Sequence, residues 1–578
     1  MIRLEQGGRP AAALVFAALA LAACGGDGGG GSGPEPVASV TVAPSDVTLP
    51  VGESQQLTAT ARDAAGAALA GRTITWESSD DGVATVTPTG LVSAVGPGAA
   101  TVAATSEGKS GNAALTVFVP VATVVVSPDE MTLIAGAPRT LQATPQDAGG
   151  HPLSGRSIAW ATSDPQIATV SPTGVVTGLA PGAVTITATS EGKEGSAAIT
   201  VGPSVTFASV ATGGAHTCAL TADGAAYCWG HGGNGQLGVP IPPIACIAEG
   251  GPSSCIMVPV PVRGGLVFAQ LAAGGAHVCG LTADGTAWCW GRNESGQLGD
   301  NSNLQRDEPV LVATDLKFAS IDAGAAHTCA LTSGGAAHCW GFNDRGQLGD
   351  GTTIRRPAPV PVTGGHLFEQ IAAGGFSRGH TCGVSGATLY CWGDNGRGQL
   401  GNGSGGFGQP DLTPHPEPAP VLGGLAVTAV TAGLGSHTCA LTESGDSWCW
   451  GENTFGALGN GGGPDSPEPE LVSGGLTFAH LIAGGFIGHT CGWTAGGTGY
   501  CWGENERGQV GDGSTLDRFE PSPVTDGHLW GALDAGFRHT CGITLAGVVY
   551  CWGSNGSGQI GNNTNVMQPR PRKVLGQP

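Results

Sequence analysis

The chain has 578 residues, including 103 glycines and 39 prolines, and its formal net charge is −21. This charge argues against a nucleic-acid partner, because a phosphate-binding surface needs clustered lysine and arginine. Short runs rich in Val, Thr and Ala alternate with Gly, Pro, Asn and Asp, and no segment has a helical period. The composition therefore predicts an all-β protein with several domains and many tight turns.

The N-terminus has the pattern of a bacterial export signal. Arg3 and Arg9 precede an apolar segment at residues 11–21, which is too short to cross a bilayer as a helix. The sequence LAAC, which ends at Cys24, resembles the lipobox of bacterial lipoproteins. That resemblance implies that residues 1–23 are removed as a lipoprotein signal peptide and that Cys24 is lipidated. The alternative is an ordinary signal peptide with a chance cysteine.

Residues 24–36 comprise the predicted lipidated cysteine, Cys24, and a Gly-rich tether at 25–36. The twelve residues of the tether have a root-mean-square reach of roughly 20 Å, so the tether separates the first folded domain from the membrane without fixing its direction. Gly25 rather than Asp follows Cys24, and the lipoprotein resemblance then implies the outer membrane. We therefore expect an exported protein that is lipid-anchored at the cell envelope, at the outer membrane or cell surface.

Two copies of one unit follow the tether. Trp76 returns as Trp160, and TSEGK beginning at Thr105 returns at Thr189, so both features recur at one constant offset. Short strands separated by Gly, Pro and Ser turns predict a small β-sandwich for each copy. Neither copy contains cysteine, so each must be stabilised by an apolar core, which we expect to centre on the two tryptophans.

The amino-acid sequence of these copies is specific enough to indicate a domain family. SVTVAPSDVTLPVGESQQLTA followed by ITWESSDDGVATV resembles the bacterial immunoglobulin-like (Ig-like) domain of group 2. The resemblance implies two tandem Ig-like β-sandwiches that act as spacers on a bacterial surface protein and carry no catalytic residues. The two domains are residues 37–118 and 119–202.

A second array occupies residues 203–578. The motif HTC or HVC occurs seven times, and each copy is followed by Cys-Trp-Gly and then by Gly-Gln-Leu-Gly or a variant. The histidines that begin the motif are His216, His277, His327, His380, His437, His489 and His539. A unit of this length suits a four-stranded propeller blade. The motifs resemble the regulator-of-chromosome-condensation repeat and its secreted bacterial relatives, which include a β-lactamase inhibitor protein. The resemblance implies a seven-bladed β-propeller, whereas function does not follow from the fold.

The first hairpin of this array accounts for the cysteine spacing. Ala222-Asp223-Gly224 is a three-residue turn with Gly last, which places Cys218 opposite Cys228. In the fourth repeat the cysteines are one residue closer, and the two-residue turn Gly386-Ala387 opposes them again. Opposed cysteines can form disulfides in an exported chain. The predicted pairs are Cys218–Cys228, Cys279–Cys289, Cys329–Cys339, Cys382–Cys391, Cys439–Cys449, Cys491–Cys501 and Cys541–Cys551, with Cys246–Cys255 in an insertion of the first blade.

No catalytic or metal constellation is predicted. GFSRG at residues 375–379 fits G-x-S-x-G, but a β-hairpin follows where the nucleophile elbow needs a helix. Zinc is a poor alternative to disulfides, because opposed cysteines in separate blades cannot bring four ligands to one centre. The seven repeated histidines likewise occupy equivalent sites in different blades, so we predict structural histidines that are buried or cap a turn. We expect no cofactor, no metal and no enzymatic activity.

A loop of the form x-Asn-x-x-Gly follows most Cys-Trp-Gly motifs. Equivalent loops of a propeller emerge on one face, and the charged, arginine and aromatic residues in their variable positions suit a protein or peptide ligand. The alternative at each single position is a solvated turn residue. The candidate ligand-binding residues are Glu294, Asp344, Arg345, Arg397, Phe455, Glu506 and Arg507.

Three functions of different classes follow. The first is a non-enzymatic cell-surface lipoprotein whose Ig-like spacers present a disulfide-bonded propeller for adhesion or for binding an extracellular protein or glycan. The second, by resemblance to the propeller inhibitor, is inhibition of a secreted or periplasmic enzyme. The third, guanine-nucleotide exchange as in the nuclear relative, is disfavoured because an exported chain would not meet a cytosolic GTPase.

Overall fold

The computed structural model describes residues 35–240, 246–248, 251–375, 379–406, 408–485 and 488–578, with the backbone alone for 246–248 and 251–253. The predicted signal peptide, Cys24 and most of the tether lie outside these residues. Within them the helical segments are two short 3-10 turns, Thr363–Gly365 and Thr525–Gly527. No helix of the described chain has the length and apolar character needed to cross a membrane. The all-β prediction is confirmed.

The first compact unit ends at Val121 and contains nine strands. These are β1 Ser39–Ala43, β2 Asp46–Pro50, β3 Ser54–Gln56, β4 Thr58–Arg62, β5 Thr75–Ser78, β6 Ala84–Val86, β7 Leu91–Ala94, β8 Gly98–Ser106 and β9 Lys109–Phe118. They form a sheet in the order β2-β9-β8-β5, a smaller sheet β3-β7-β6 and the pair β1-β4. Apolar residues from all three enclose one core, as in an Ig-like β-sandwich.

The second copy repeats this layout at the start of the second unit, which spans Ala122–Pro578. Its strands are β10 Thr123–Ser127, β11 Glu130–Ile134, β12 Pro138–Thr140, β13 Gln142–Gln146, β14 Ala159–Thr162, β15 Ala168–Val170, β16 Val175–Gly178, β17 Gly182–Ser190 and β18 Lys193–Gly202. Every strand begins at the same offset from its counterpart, which is the offset that separates Trp76 from Trp160. The sheet orders β11-β18-β17-β14, β12-β16-β15 and β10-β13 are the same.

The tryptophans do not form the centre of these domains, so that expectation was wrong. The fully buried residues of the first core are small and aliphatic, such as Val92 and Val102. Trp76 is half-buried on β5, an edge strand, and its ring covers Gly90, where a Cβ would lie 2.7 Å from Trp76 Cζ2. Trp76 therefore packs against the core from the edge of the sheet and does not fill its centre.

Seven four-stranded sheets follow, which we number as blades 1 to 7. Blade 1 has β19 Phe207–Thr212, β20 His216–Thr221, β21 Ala226–His231 and β24 Cys255–Pro261, with a small hairpin β22 Cys246–Ala248 and β23 Gly251–Ser253. Blades 2 to 4 have β25 Phe268–Ala273, β26 His277–Thr282, β27 Ala287–Gly291, β28 Arg306–Leu311; β29 Phe318–Ala323, β30 His327–Thr332, β31 Ala337–Gly341, β32 Arg356–Pro361; and β33 Gln370–Gly374, β34 His380–Ser385, β35 Thr388–Asn395, β36 Asp411–Pro420. Blades 5 to 7 have β37 Val427–Ala432, β38 His437–Thr442, β39 Ser447–Gly451, β40 Ser466–Leu471; β41 His480–Gly484, β42 His489–Trp493, β43 Gly499–Gly503, β44 Arg518–Pro523; and β45 Trp530–Ala535, β46 His539–Thr544, β47 Val549–Gly553, β48 Gln568–Lys573.

The sheets close into a ring around a channel lined by the first strand of each blade. Asp534 Oδ2 in blade 7 accepts hydrogen bonds from Thr212 in blade 1, from its backbone N at 2.6 Å and from its Oγ1 at 3.0 Å. Every sheet is built from strands of its own repeat, so contacts between blades, not an exchanged strand, join the last blade to the first. The result is a β-propeller.

The antiparallel strand order divides the loops between two opposite faces. The hairpins between second and third strands share one face with the connections between blades, and we call it the hairpin face. The loops between first and second strands share the other with those between third and fourth strands. We call this second surface the Asn face, after the buried Asn343 and its equivalents in the third loop of the blades.

The second Ig-like domain packs on the hairpin face. Ile134 and Ala137 belong to the same apolar core as Phe207. The backbone of Gly576 lies so close to Ile134 that a Cβ on this glycine would be 2.0 Å from Ile134 Cδ1. The carbonyl of Gly576 accepts a hydrogen bond from Val205 N at 2.8 Å. Val205 precedes the first strand of blade 1 and Gly576 follows the last strand of blade 7. Both positions are at the hairpin face, so the Asn face points away from this domain.

Candidate binding face

The central hairpin of every blade contains a disulfide. In blade 1 the Cα atoms of Cys218 and Cys228 are 4.1 Å apart in directly opposed positions. Gly224 has a φ of +82°, as the last position of a three-residue turn requires. In blade 4 the two-residue turn begins at Gly386, with a φ of +54°, and Cys382 again pairs with Cys391. The other bridges are Cys279–Cys289, Cys329–Cys339, Cys439–Cys449, Cys491–Cys501 and Cys541–Cys551.

The insertion of blade 1 contributes a further bonded cysteine. Cys255 is disulfide-bonded and 3% exposed. The side chain of Cys246, its predicted partner, lies outside the described residues.

The repeated histidines are buried between neighbouring blades. His277 Nε2 lies 2.9 Å from Thr328 Oγ1 of the next blade. That hydroxyl donates to the carbonyl of Gln297 at 2.9 Å, so it accepts from the imidazole, and the ring proton is on Nε2. Burial lowers the pKa of His277 to about 3, which keeps the ring neutral. The same contact, at 2.9 to 3.0 Å, joins His327–Thr381, His380–Thr438, His437–Thr490, His489–Thr540 and His539–Thr217.

Three repeated motifs meet at this junction. The carbonyl of Gln297, from the Gly-Gln-Leu-Gly segment of blade 2, also accepts a hydrogen bond from Trp340 Nε1 of blade 3 at 3.0 Å. Leu298, the next residue, is fully buried between the two blades. The histidine, the Cys-Trp-Gly tryptophan and the Gly-Gln-Leu-Gly segment therefore recur together as parts of one inter-blade contact.

The junction between blades 1 and 2 lacks the histidine contact. Val278 of the HVC motif stands where six blades have threonine, and within the described residues neither ring nitrogen of His216 has a hydrogen-bond partner. Val278 is fully buried, and Trp290 Nε1 still donates to Gln236 O at 3.1 Å. Apolar packing thus replaces one polar contact at this junction.

The loops of the Asn face are stabilised from inside. Asn343 is fully buried, and its Nδ2 donates to Asp350 Oδ1 at 3.1 Å and to Ile354 O at 3.0 Å. Its Oδ1 accepts from Leu348 N at 2.9 Å. Asp350 Oδ2 in turn accepts from Arg356 Nε at 2.8 Å. The backbone of this loop is therefore held by buried polar contacts before any ligand arrives.

The candidate ligand-binding residues fall into two groups. Exposed side chains are Glu294, Asp344 and Glu506, whereas Arg345, Arg397, Phe455 and Arg507 are half-buried. Arg345 Nη1 donates to Leu412 O of the next blade at 2.5 Å, and its Nε lies 3.5 Å from Asp394 Oδ1. Arg397 Nη1 lies 3.0 Å from Asp465 Oδ2 of the next blade. These two arginines join neighbouring blades, a role that the sequence analysis missed.

Four exposed aliphatic residues stand at equivalent positions beside these loops, and we call them the rim aliphatics. They are Leu304 at 64% exposure, Ile354 at 61%, Leu516 at 66% and Val566 at 62%. Nδ2 of the buried asparagine in the same blade donates to the backbone carbonyl of the last three. These four residues were not among the predicted binding residues, although each lies four residues after the Asp or Asn of Gly-Asp/Asn-x-Ser/Thr.

The described residues contain no group of three or more His, Cys, Asp and Glu that could bind a metal. Asp322 and Asp534 line the channel, and burial raises the pKa of both carboxyls to about 6. Asp322 Oδ2 accepts from Ala373 N of the next blade at 2.8 Å, so these carboxyls are contacts between blades. Residues 376–378 of the G-x-S-x-G match lie outside the described chain.

Comparison with protein families covers most of the chain. The bacterial Ig-like domain (group 2) matches residues 36–117 and 120–201. Two descriptions of the regulator of chromosome condensation (RCC1) repeat match residues 223–281, 284–331, 334–382, 387–441 and 546–578, and residues 207–236, 268–297, 318–347, 427–457 and 532–559. Blade 6 lies outside both sets of matches, and its four strands are present nonetheless.

Similar proteins share parts of the chain. The ultraviolet-B receptor UVR8 of Arabidopsis thaliana is 33% identical over 323 residues, 55% of this chain and 57% of that protein. The human E3 ubiquitin-protein ligase HERC2 is 31% identical over 310 residues, 53% of this chain and 5% of that protein. Ice-binding protein 1 of Shewanella frigidimarina is 35% identical over 167 residues, 28% of this chain and 19% of that protein. The chain therefore spans a little more than half the length of UVR8 and much less of the length of the other two proteins.

Solved structures show the propeller fold. Human WBSCR16 is 23% identical with a TM-score of 0.51, over 62% of this chain and 92% of that one. Yeast RCC1 (Prp20), solved with Kap60, is 21% identical with a TM-score of 0.50, over 60% of this chain and 83% of that one. The chain thus consists of two bacterial Ig-like domains of group 2 followed by a β-propeller of regulator-of-chromosome-condensation repeats.

Proposed function

We propose that this chain is a non-enzymatic adhesion or binding protein of the bacterial cell surface, whose Asn face contacts an extracellular protein or glycan. In this proposal Cys24 carries a lipid anchor, the Ig-like domains are spacers and the propeller is the recognition domain. The observation that carries the proposal is the set of rim aliphatics, held by internally hydrogen-bonded loops on the face that points away from the second Ig-like domain.

The arrangement of the rim aliphatics supports a binding role. A single exposed Leu or Val is ordinary on a protein surface. Here the same position of four blades carries one, on a backbone that is already ordered, so little conformational entropy is lost when a partner binds. Exposed Glu294, Asp344 and Glu506 of the same loops add polar groups, and protein interfaces combine apolar with polar contacts.

The disulfides support an extracytoplasmic location. Seven buried disulfides are spread over seven blades, and structural disulfides persist in oxidising compartments. Export agrees with the signal pattern that ends at Cys24. A propeller fixed in this way offers a rigid surface for recognition outside the cell.

The test is crosslinking mass spectrometry on intact cells that carry the full chain. A variant with all four rim aliphatics replaced by serine should lose at least tenfold of the crosslinked partner, as a loss of about 1.4 kcal/mol implies. The matched control replaces Val267, Leu367 and Leu529, which are 58%, 61% and 51% exposed on the hairpin face. Equal recovery with wild type and rim variant, or loss with the control alone, would contradict the proposal.

A further inference from the structure

A cleft of about 380 Å³ opens on the Asn face where blade 7 meets blade 1. Backbone of Gly214 from blade 1 forms one wall. The first and third loops of blade 7 form the other, with Phe537 and Arg538, and Ser554 and Ser557, respectively. At the ring closure the first loop of blade 1 and two loops of blade 7 thus surround one open space.

Two of the lining positions carry small residues. Ser557 occupies the loop position of Arg345 and Arg397, whose guanidinium groups cross to the next blade. A serine hydroxyl cannot span that distance. Gly214 leaves room for the ring of Phe537, since a Cβ there would lie 2.8 Å from Phe537 Cε2. The junction between blades 7 and 1 is therefore open where arginine bridges the junctions that follow blades 3 and 4.

The residues that line the cleft include a positively charged side chain. No carboxylate lines the cleft among the described residues, and the guanidinium of Arg538 is the charged group, with 30% of its side chain exposed. Arg538 Nη2 lies 3.3 Å from Oε1 of Glu504, a fully buried carboxyl. Burial raises the pKa of Glu504 to about 7, so at neutral pH this carboxyl neutralises only part of the arginine charge. Arg538 is thus the cation among the described lining residues, in a chain of net charge −21.

We propose that this cleft binds an acidic sugar residue of an extracellular glycan. Its volume is at the lower end of small-molecule sites, which suits one or two sugar rings. The apolar face of a sugar can pack on Phe537, its hydroxyls can bond to Ser554 and Ser557, and its carboxylate can pair with Arg538 in the bidentate geometry that guanidinium favours. An acidic peptide could also pair with the arginine, so an Asp-terminated peptide is the competing ligand in the test. This inference rests on the proposed binding function and names its ligand.

The experiment uses the full chain on an array of glucuronate- and sialate-terminated oligosaccharides, their neutral counterparts and an Asp-terminated peptide. Wild type should bind the acidic sugars saturably and the neutral sugars at least tenfold more weakly. Ser557→Arg places a long side chain in the cleft, which should exclude the sugar ring and weaken acidic-sugar binding at least tenfold. Ser295→Arg, at the same loop position of blade 2, is the matched control and should bind as wild type does.

Arg538→Gln is a second variant, which removes the positive charge and should reduce the preference for acidic over neutral sugars at least tenfold. It also leaves Glu504 without its ion pair, so thermal unfolding is measured beside binding; if this variant unfolds early, Ser557→Arg decides alone. No saturable binding of either acidic sugar, binding of the peptide alone, or unchanged binding by Ser557→Arg would overturn the inference. Partner crosslinking that persists in Ser557→Arg cells would overturn it too, while leaving the proposed function standing.

Discussion

The Ig-like domains and the propeller are stabilised by different physical means. The first Ig-like core is made of small aliphatic residues and contains neither cysteine nor histidine. Each blade instead has a disulfide, a buried neutral histidine and a tryptophan that donates to the neighbouring blade, as at His277 and Trp340. A sandwich closes on itself, whereas a propeller must align sheets that are separate in sequence. Directional polar contacts supply that alignment, which apolar packing alone does not specify.

Reduction of the disulfides is expected to have the largest effect, and it should affect the propeller but not the first Ig-like domain. Closing a ten-residue loop contributes roughly 2–3 kcal/mol in the chain-entropy description. Even half of that for each of seven bridges is comparable with the whole stability of a domain, about 5–15 kcal/mol. We expect the propeller to remain unfolded under reducing conditions while the first Ig-like domain folds. Limited proteolysis and tryptophan fluorescence of chain refolded with and without reductant would measure this.

Thiol titration provides the control for the redox prediction. Unreduced, exported protein should show almost no free thiols, because the seven described bridges account for fourteen cysteines. A count near fourteen in folded, active material would contradict the assignment of a disulfide to every blade. A reduced propeller that melts at the same temperature as the oxidised one would contradict it equally.

Acid should also separate the two regions. Burial lowers the pKa of the seven repeated histidines to about 3 or 4, and their pKa in the unfolded chain is about 6.5. The unfolded propeller therefore binds more protons between these limits. The contribution of these histidines to the free energy of unfolding of the propeller is complete above about pH 6.5. It falls as the pH falls, by up to about 1.4 kcal/mol per pH unit for each histidine.

Three carboxyls act in the opposite direction. Burial raises the pKa of Asp322 and Asp534 to about 6 and that of Glu504 to about 7, so these groups favour the folded state as the pH falls toward 4. Seven histidines outnumber them, and the net effect is acid destabilisation of the propeller. Urea unfolding at pH 7.5 and pH 5 would measure it. An unchanged free energy of unfolding would show that the histidines are not buried and neutral.

A single substitution can remove the His–Thr hydrogen bond from one junction and make it resemble the junction between blades 1 and 2, which lacks this bond. Thr328→Val removes the hydroxyl between His277 Nε2 and Gln297 O and leaves a buried imidazole N–H without an acceptor. We expect the propeller to lose about 1–3 kcal/mol, measured by urea unfolding. Thr477→Val, at an exposed position, is the control and should change stability by less than about 0.5 kcal/mol. Equal effects of the two variants would contradict the His–Thr contact.

The reverse substitution, from valine to threonine, is expected to have the smallest effect on stability. Val278→Thr supplies a hydroxyl between His216 and the carbonyl of Gln236, in the arrangement of the other six junctions. A hydrogen bond contributes about 1 kcal/mol net, so we expect stabilisation of that order, measured as a shift in the urea midpoint at constant slope. A clear loss of stability would indicate that the first junction is adapted to apolar packing and cannot accept a polar group.

Local sequence predicted the elements of this protein well. The constant offset between the two copies defines the same nine strands in each Ig-like domain, and turn length predicts the opposed positions of Cys218 and Cys228. Pattern alone did not distinguish the surfaces of the two Ig-like domains. The second has Ile134 and Ala137 packed on the propeller where the first has Pro50 and Glu53. That difference is visible in the sequence, but its meaning depends on a neighbour far along the chain.

By itself the sequence determined the repeats, the hairpin registers and the seven cysteine pairs of the central hairpins, because contacts within a single hairpin depend only on turn geometry. Only the tertiary structure decided where the histidines point, which arginines bridge blades and where a cleft opens. His277 meets Thr328 across 51 residues, and Thr212 meets Asp534 across 322. Such contacts arise when the ring closes and places distant residues together, so no local pattern of residues specifies them.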